Sequence, residues 1–425
     1  MQPAELVDPE EALRNFSKED IRYVSIIFQD LEGWLRERLI RANKLKSLCE
    51  ETRVDGYSIG FMPVEDSDLI LKPDPSTARL LESPIGKTLV MVGDLYYESR
   101  PLPHYPRHIL REALRGAHSE ARVGLEVEFY LTTEGKPVDR GYYWSPILLQ
   151  DVVGEVVLTL EKAGVEVRSV HHEVGPGQYE VLPGPMPPLA AADTILIMKK
   201  VIHSIAHKNG YNATFMPKPF AGLPGSGLHL HLSLHRDGKN ILFEDGAVTE
   251  DGQAFIAGLL ANARNSALLT NPTVNSYKRL TPGYEAPVLI AWGVGNRSVL
   301  VRVPRGSKGF AGTVEYRLPD SSGNVYLAIT AAVLAGLQGV RERLKPPPPC
   351  NANAYNLKGL EAIPRTLGEA VEHASNLNLF EGEARKTIQM LANLKLKEWE
   401  DYLKATKGQD SAGITQWEIE KYFER

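Results

Sequence analysis

The sequence predicts an α+β protein with a small first domain and a larger second one. Three observations lead there. Short runs alternate apolar and polar residues, the mark of half-buried strands, and they recur from Ile21 to Leu318. Between them lie stretches with helical spacing, the longest at 190–208 and 323–343. The segment Leu102-Pro103-His104-Tyr105-Pro106 punctuates the chain after the first group of strands, so domains are expected at 1–103 and 104–425. A chain of 425 residues with 43% hydrophobic and 24% charged content suits two or three soluble domains, at roughly 100–200 residues each.

The elements follow in order. Residues 21–28 alternate Ile21, Tyr23, Ser25 and Ile27 with Arg22, Val24, Ile26 and Phe28. Asp30-Leu31-Glu32-Gly33 turns, and 34–40 alternates again with Arg36 and Arg38 on one side, which makes a hairpin. A strand at 88–95 closes the first domain. A helix is expected at 108–119. The strand at 125–131 sets Leu125, Val127, Phe129 and Leu131 against Glu126, Glu128 and Tyr130. Helices are expected at 152–162 and 190–208. The strand at 228–234 carries His229, His231 and Ser233 on one face, the strand at 299–303 presents Arg302, and Val314, Tyr316 and Leu318 alternate with Thr313, Glu315 and Arg317. A long apolar helix at 323–343 ends at the Pro346–Pro349 run, and the tail from Leu367 is helical, finishing at 414–423. Four strands thus share one device: an apolar face, and an opposite face bearing Glu-Glu, His-His, Arg or Glu-Arg. In a common sheet those polar faces line one cavity.

Composition excludes several classes. A net charge of −5 with no broad basic patch argues against nucleic acid. Cys49 and Cys350 make neither a disulfide framework nor a cysteine metal site. The start, Met1-Gln2-Pro3-Ala4-Glu5, lacks the apolar core of a signal peptide, and the longest apolar run, 328–337, is short of the roughly 20 residues a membrane helix needs. No membrane partner is expected, and the cytoplasm is the expected location.

The chemistry lies in Glu126, Glu128, Glu173, Glu180, His229 and Glu315, set in segments otherwise built of apolar residues, Gly and Pro. A buried carboxylate is costly unless a cation or hydrogen bond satisfies it. Oxygen-rich ligation with one imidazole suits Mg2+ or Mn2+ better than zinc. Glu173 and Glu180 flank Val174-Gly175-Pro176-Gly177-Gln178-Tyr179, a turn able to fold both back to one site. A solvated strand face is the plainer reading of any one glutamate, but such faces usually mix in Lys and Thr, which these lack. Arg279, Arg297, Arg302 and Arg317 form a cationic set suited to phosphate or carboxylate; some of them could simply neutralise the glutamates. With divalent ions, phosphoryl transfer is the natural chemistry. Gly86-Lys87-Thr88 is no phosphate loop, because Leu81 stands where that motif needs glycine, and His171-His172-Glu173 lacks the second histidine of a zinc-protease helix.

Together these segments resemble the glutamine synthetase family along nearly the whole chain. The carrying stretches are Val54-Asp55-Gly56-Tyr57-Ser58-Ile59-Gly60, 125–130, 171–180, Met216-Pro217-Lys218-Pro219 through Ser233, Tyr277 through Pro287, Asn296-Arg297-Ser298 and Glu315-Tyr316-Arg317. The resemblance implies a β-grasp-like first domain, and a catalytic domain whose antiparallel sheet lines an active-site funnel amid surrounding helices. It implies an ATP-dependent ligase in which the γ-carboxylate of glutamate takes the γ-phosphoryl of ATP and an amine displaces phosphate. Two or three Mg2+ or Mn2+ ions per site are implied, one held by Glu128, Glu173 and Glu180, another by Glu126, His229 and Glu315. Arg279 and Arg317 would hold the glutamate carboxylates, with Gly225, His229 and Glu173 also on the substrate side. Arg297 and Arg302 would face phosphate, His231 and Ser233 the nucleotide. Glu285 would sit on a flap that shields the acyl phosphate from water. Asp55, with Ser58 nearby, would deprotonate ammonium from the neighbouring subunit. The implied assembly is a dodecamer of two hexameric rings with sites between subunits, and 416–423 resembles a strap between rings, although this terminal helix could equally pack on its own subunit.

The chain departs from the family pattern at Tyr57, at Pro224, where Asn usually precedes Gly225-Ser226-Gly227, and at Thr313, where Arg is usual. The Thr313 change removes a phosphate contact that Arg305 or Lys308 could replace. Ala291-Trp292-Gly293-Val294-Gly295 is also unusual. The leading expectation is ligation of ammonia; an organic amine or polyamine as acceptor, and a non-catalytic assembly or regulatory role, are the alternatives. Tyr355 has no surrounding modification motif.

Overall fold

The computed structural model describes residues 20–44, 52–83, 85–115, 120–146, 150–306, 309–310, 312–408 and 413–424. Cys49, Lys308 and the first five residues lie outside them. A first sheet holds β1 (Ile21–Gln29), β2 (Leu35–Arg41), β3 (Arg53–Asp55), β4 (Asp68–Ser83) and β5 (Gly86–Tyr97) in the order β2-β1-β5-β4-β3. β1 and β2 form the expected hairpin, with Ile26 opposite Arg38. β1 then lies parallel to β5, and Val24 to Phe28 are buried without interruption, as in a strand covered on both faces. Gly86-Lys87-Thr88 opens β5 as plain strand. β4 is not apparent from the sequence: Pro73 and Pro75 interrupt it, and its register against β5 slips between Asp74 and Arg79.

A second sheet holds β6 (Glu120–Thr133), β7 (Val167–His172), β8 (Gln178–Pro183), β9 (Leu228–Arg236), β10 (Trp292–Val294), β11 (Val301–Val303) and β12 (Val314–Tyr316). Its main path runs β10-β11-β12-β9-β6-β8-β7, antiparallel except that β10 lies parallel to β11. Leu125, Val127, Phe129, Leu228, Leu230 and Val314 are buried on its apolar side, against which helix Pro188–Lys208 packs. The helix expected at 108–119 is Pro106–Ala113: proline takes its first position, where the missing N–H costs nothing, and the helix ends at Leu114. Residues 116–119 lie outside the described part.

Helix Glu250–Thr270, absent from the sequence reading, starts at Thr249, whose Oγ1 accepts the Gly252 N–H at 3.0 Å. It pairs with helix Val325–Glu342. The two cross at Gly258 and Gly339, where a Cβ would lie 2.1 Å from Ala335 O and 2.0 Å from Ala254 O respectively, so neither position admits a side chain. Helix Gln416–Tyr422 packs on its own chain: Asn275 donates to Glu418 Oε1 at 2.9 Å, and the Tyr422 hydroxyl donates to Glu398 Oε1 at 2.7 Å. Among the described residues no helix is long and apolar enough to cross a membrane.

His203, on helix Pro188–Lys208, sets its ring 5.3 Å from that of Phe215. Burial, and then Lys199, push it down to about 4. The unfolded chain takes up a proton near pH 6.5 and the folded chain does not, so stability falls as pH drops from about 6.5 to about 4. Urea unfolding across that window should lose about 2–3 kcal/mol through this residue, and His203→Gln should flatten the dependence.

Candidate active site

Cross-strand register brings the charged faces together. Glu128 pairs with Glu180 across β6 and β8, and Glu126 with His229 across β6 and β9. His231 pairs with Glu315 across β9 and β12, and Glu315 with Arg302 across β12 and β11. β7, also unforeseen, sets His171 opposite Glu180, and the turn that follows returns Glu173 to the same place, with its N–H on Gln178 O at 2.8 Å. The period of two therefore stacks five carboxylates and three imidazoles on one face.

The contacts are close. His229 Nδ1 lies 2.7 Å from Glu126 Oε2, and His231 Nε2 lies 2.9 Å from Glu126 Oε1. His171 Nε2 is 2.9 Å from Glu173 and 3.5 Å from Glu180. Glu128 accepts the Gly227 N–H at 2.7 Å. Glu315, with no exposure, touches Arg317 and lies 2.7 Å from Arg302 Nε; that Nε sits off the hydrogen-bonding direction, so the contact is Coulombic. Burial would raise the Glu126 carboxyl, but hydrogen bonds from His229 and His231 outweigh it and hold it low. Glu180 is driven the other way, well above the usual carboxylate range, by burial and then by Glu126, Glu128, Glu173 and Glu315. Such mutual repulsion is what a divalent cation relieves. Among the described residues three sets bring their donor atoms within 4.8 Å of one another: Glu126, His231 and Glu315; Glu126, Glu180 and His229; His171, Glu173 and Glu180. Each joins two carboxylates to one imidazole, a donor set that fits Mg2+ or Mn2+.

A cavity of about 380 Å³ opens over this face, lined also by Gly225, Arg279, Glu285, Arg297 and Arg317. Gly225 runs so close to Arg279 that a Cβ would meet its Cγ at 2.6 Å and Pro217 O at 2.5 Å. Arg279, itself buried, donates to Leu318 O at 2.8 Å and Arg317 O at 3.0 Å. The Nε of Arg317 is buried and makes no hydrogen bond. At the departures, Pro224 O accepts the Tyr130 hydroxyl at 2.7 Å, and the Thr313 hydroxyl sits 3.2 Å from His231 Nδ1. Glu285, at φ 56°, meets Arg297 at 3.5 Å and gives its carbonyl to Arg317 at 3.2 Å. Its neighbours are tethered too: Lys218 Nζ stands 3.9 Å over the Tyr284 ring, and the Tyr355 hydroxyl donates to Ala286 O at 2.9 Å.

Not every expected residue lines this cavity. Arg302, Glu315 and His231 stand behind it, joined through Arg317 and Glu126, and Ser233 contacts His235 at 3.1 Å. Asp55 and Ser58 lie apart, the first at the end of β3 and the second in the turn that follows it. Asp55 accepts from Ser58 at 2.5 Å and from Tyr57 N at 3.0 Å; the Ser58 hydrogen bond above all holds its carboxyl below the usual range. Sequence reasoning missed His171, Tyr143 and Trp144, all of which line the cavity. The adjacent histidines at 171 and 172 were the available signal for the first; Tyr142-Tyr143-Trp144 was the signal for the others.

A β-grasp domain joined to a larger sheet domain, with clustered carboxylates and arginines, defines an ATP-dependent carbon–nitrogen ligase once its relatives are considered. The profile described as "Glutamine synthetase, beta-Grasp domain" matches residues 20–98, and "Glutamine synthetase, catalytic domain" matches 103–422. A glutamine synthetase of Pyrococcus horikoshii is 37% identical, with 95% of this chain and 96% of that protein covered; one of Thermotoga maritima is 35% identical, over 96% and 98%. The solved structure of a GmaS/ADP complex superposes with a TM-score of 0.85 at 29% identity, covering 97% of this chain and 99% of that one. The chain belongs to the glutamine synthetase family.

Proposed function

We propose that the chain makes glutamine from glutamate and ammonia through γ-glutamyl phosphate. The observation that carries this is one cavity lined both by Glu126, Glu128, Glu173 and Glu180 and by Arg279, Arg297 and Arg317. A γ-carboxylate oxygen attacks the γ-phosphorus, forming an O–P bond as ADP departs. Ammonium gives up a proton, its lone pair attacks the γ-carbonyl carbon, and phosphate leaves with the C–O electron pair. A further proton is shed from nitrogen to give the amide. Arg279 and Arg317 hold the carboxylates of glutamate, and the unmet Arg317 Nε supports that role. Gly225, held against Arg279, shapes the amino-group side together with Glu173 and His229. Arg297 and Arg302 absorb charge developing on phosphate, and His231 and Ser233 serve the nucleotide side.

Glu128, Glu173 and Glu180 with His171, and Glu126, His229 and Glu315 with His231, would hold divalent ions. Those ions, when bound, neutralise phosphate charge. Glu285 closes over the acyl phosphate, and its ties through Arg297 and Arg317 bring that flap to the cavity. Asp55 and Ser58 lie away from their own chain's cavity, which supports their acting in a neighbour's site within a dodecamer of two rings, in the cytoplasm. The functional division at 103/104 follows the same reading.

A second acceptor class, an organic amine, is favoured by the exposed Tyr143 and Trp144 at the cavity. Phosphate release from ATP, measured with glutamate plus ammonium, methylamine, ethanolamine or putrescine, decides between them. Strong release with ammonium alone supports glutamine synthesis. Release that requires an organic amine replaces it with the second reading.

A further inference from the structure

Lys218 is 5% exposed, and the proposed reaction leaves its charge unused. Its backbone is fixed from both sides: its N–H donates to Asn275 Oδ1 at 2.7 Å, and its carbonyl accepts from Asn275 Nδ2 at 3.1 Å. Pro219 follows it and keeps its backbone extended. Its ammonium then meets two segments that line the cavity. It donates to Leu223 O, beside Pro224 and Gly225, and it stands 3.9 Å over the Tyr284 ring. Among the described residues no carboxylate pairs with it. Burial, and then Arg279, bring its pKa down to about 8, so it is still charged at neutral pH. A buried ammonium without a counter-ion costs stability, and such a cost is retained where it serves a site.

The two segments differ in how firmly they are held. On one side three successive carbonyls are occupied: Leu223 O by Lys218, Pro224 O by the Tyr130 hydroxyl at 2.7 Å, and Gly225 O by Gln178 Nε2 at 3.1 Å. On the other side lies the flap. Gly283, at φ 97°, turns the chain into it, Tyr284 is 39% exposed, and Glu285 holds φ at 56°. That left-handed conformation is disfavoured for a residue with a side chain, so the flap keeps it only while its ties last. Those ties are Lys218 on the Tyr284 ring, Arg317 on Glu285 O and Tyr355 on Ala286 O.

We propose that Lys218 is a positioning residue that clamps the flap to the fixed loop at 223–225 through the Tyr284 ring, and so keeps water from the acyl phosphate. The proposal rests on the ligase reading of the same cavity and on the role proposed there for Glu285. The ammonium lies behind the cavity wall, so it acts through Tyr284, by cation–π attraction at a site shielded from solvent. With the clamp gone, water enters. Its oxygen adds to the γ-carbonyl carbon of γ-glutamyl phosphate, phosphate leaves with the C–O electron pair, and the proton goes to solvent. Glutamate returns, and ATP is hydrolysed with no amide formed.

The test is phosphate released per amide formed, with saturating ATP, glutamate, Mg2+ and either ammonium or methylamine, for the parent, Lys218→Met, Tyr284→Leu and Tyr284→Phe. The parent should release about one phosphate per amide. Lys218→Met removes the charge and Tyr284→Leu removes the ring; each should raise the ratio by about threefold or more, and Tyr284→Phe should hold it near the parent's. A merely structural fault slows both products together and leaves the ratio alone. A ratio unmoved in both Lys218→Met and Tyr284→Leu, or raised as far in Tyr284→Phe, overturns the clamp while leaving the ligase reading intact. Absence of glutamate-dependent phosphate release by the parent with either acceptor overturns both.

Discussion

A Glu180→Gln chain should lose ligase turnover by at least about 100-fold, yet unfold at a higher temperature than its parent in metal-free buffer. Both effects come from one position. Glu180 is only 4% exposed and stands opposite Glu128 in the sheet, where like charges destabilise a pair. Burial and four neighbouring carboxylates push its own carboxyl up. An amide of the same shape removes a group whose ionised form that crowd disfavours, without opening a cavity, so the metal-free fold gains. On the proposed reading the same change also replaces a charged cation ligand with a neutral amide, so the developing phosphate charge loses part of its counterweight. Melting curves with chelator and with Mg2+ separate the two. The parent should gain more from Mg2+ than the variant, because stabilisation by a ligand follows its affinity for the folded state. A variant that melts below its parent in chelator would show that these carboxylates are not in repulsion.

The catalytic strands were legible because a period of two writes itself into the residues. Glu126 and Glu128 share a face in the sequence, and they share it in β6. What the sequence does not contain is register. Nothing within 125–131 or 228–234 announces that Glu126 falls opposite His229 rather than His231; the two neighbouring strands fix it together. The donor sets show the consequence. The resemblance groups Glu128 with Glu173 and Glu180, whereas the folded chain draws His171 to those two and gives Glu128 to the Gly227 amide.

The elements that escaped notice did so for opposite reasons. β4 carries Pro73 and Pro75, which argue against a strand, and it survives by slipping register at that point. Helix Glu250–Thr270 is buried nearly all round, so no polar stripe marks its period. Its N-cap, Thr249 ahead of Glu250 and Asp251, was the signal that remained. The aromatic loop at 142–144 was invisible for a third reason. Its meaning depends on an Asp139 network that joins the residues before it to the hairpin of β7 and β8.

Arg107→Ala should destabilise the chain by about 3–5 kcal/mol, a large share of the roughly 5–15 kcal/mol that holds a domain together. Arg107 is 1% exposed and sits on helix Pro106–Ala113, between the first sheet and helix Pro188–Lys208. Its guanidinium meets Asp74 of β4 and Asp94 of β5 at 2.7 Å each, and Asp193 of helix Pro188–Lys208 at 2.8 Å. The Tyr326 hydroxyl donates to Asp193 from the far side at 2.7 Å. Burial alone would lower the Arg107 pKa, but Asp193 and then Asp94 outweigh it and raise it further. Truncation therefore does more than delete attraction: it strands the Asp193 carboxylate and leaves Asp94 and Asp74 to Arg111 alone, at 2.8 and 3.7 Å. Lysine should rescue poorly, because one ammonium cannot reproduce a fork aimed at three acceptors. Adding Asp193→Asn to Arg107→Ala should recover part of the loss, since it removes a stranded charge while the amide can still accept from Tyr326. Urea unfolding of the parent, both single variants and the pair gives the coupling directly. An Arg107→Ala midpoint within about 1 kcal/mol of the parent would mean that water reaches the three aspartates and that the junction is held elsewhere, for instance where Gln29 and Asn324 exchange hydrogen bonds with the opposite backbone. The location of the hub makes the result matter for function. It joins the sheet that carries Asp55 to the domain that carries the carboxylates, so on the reading proposed for Asp55 a loosened Arg107 should lower turnover before the chain unfolds.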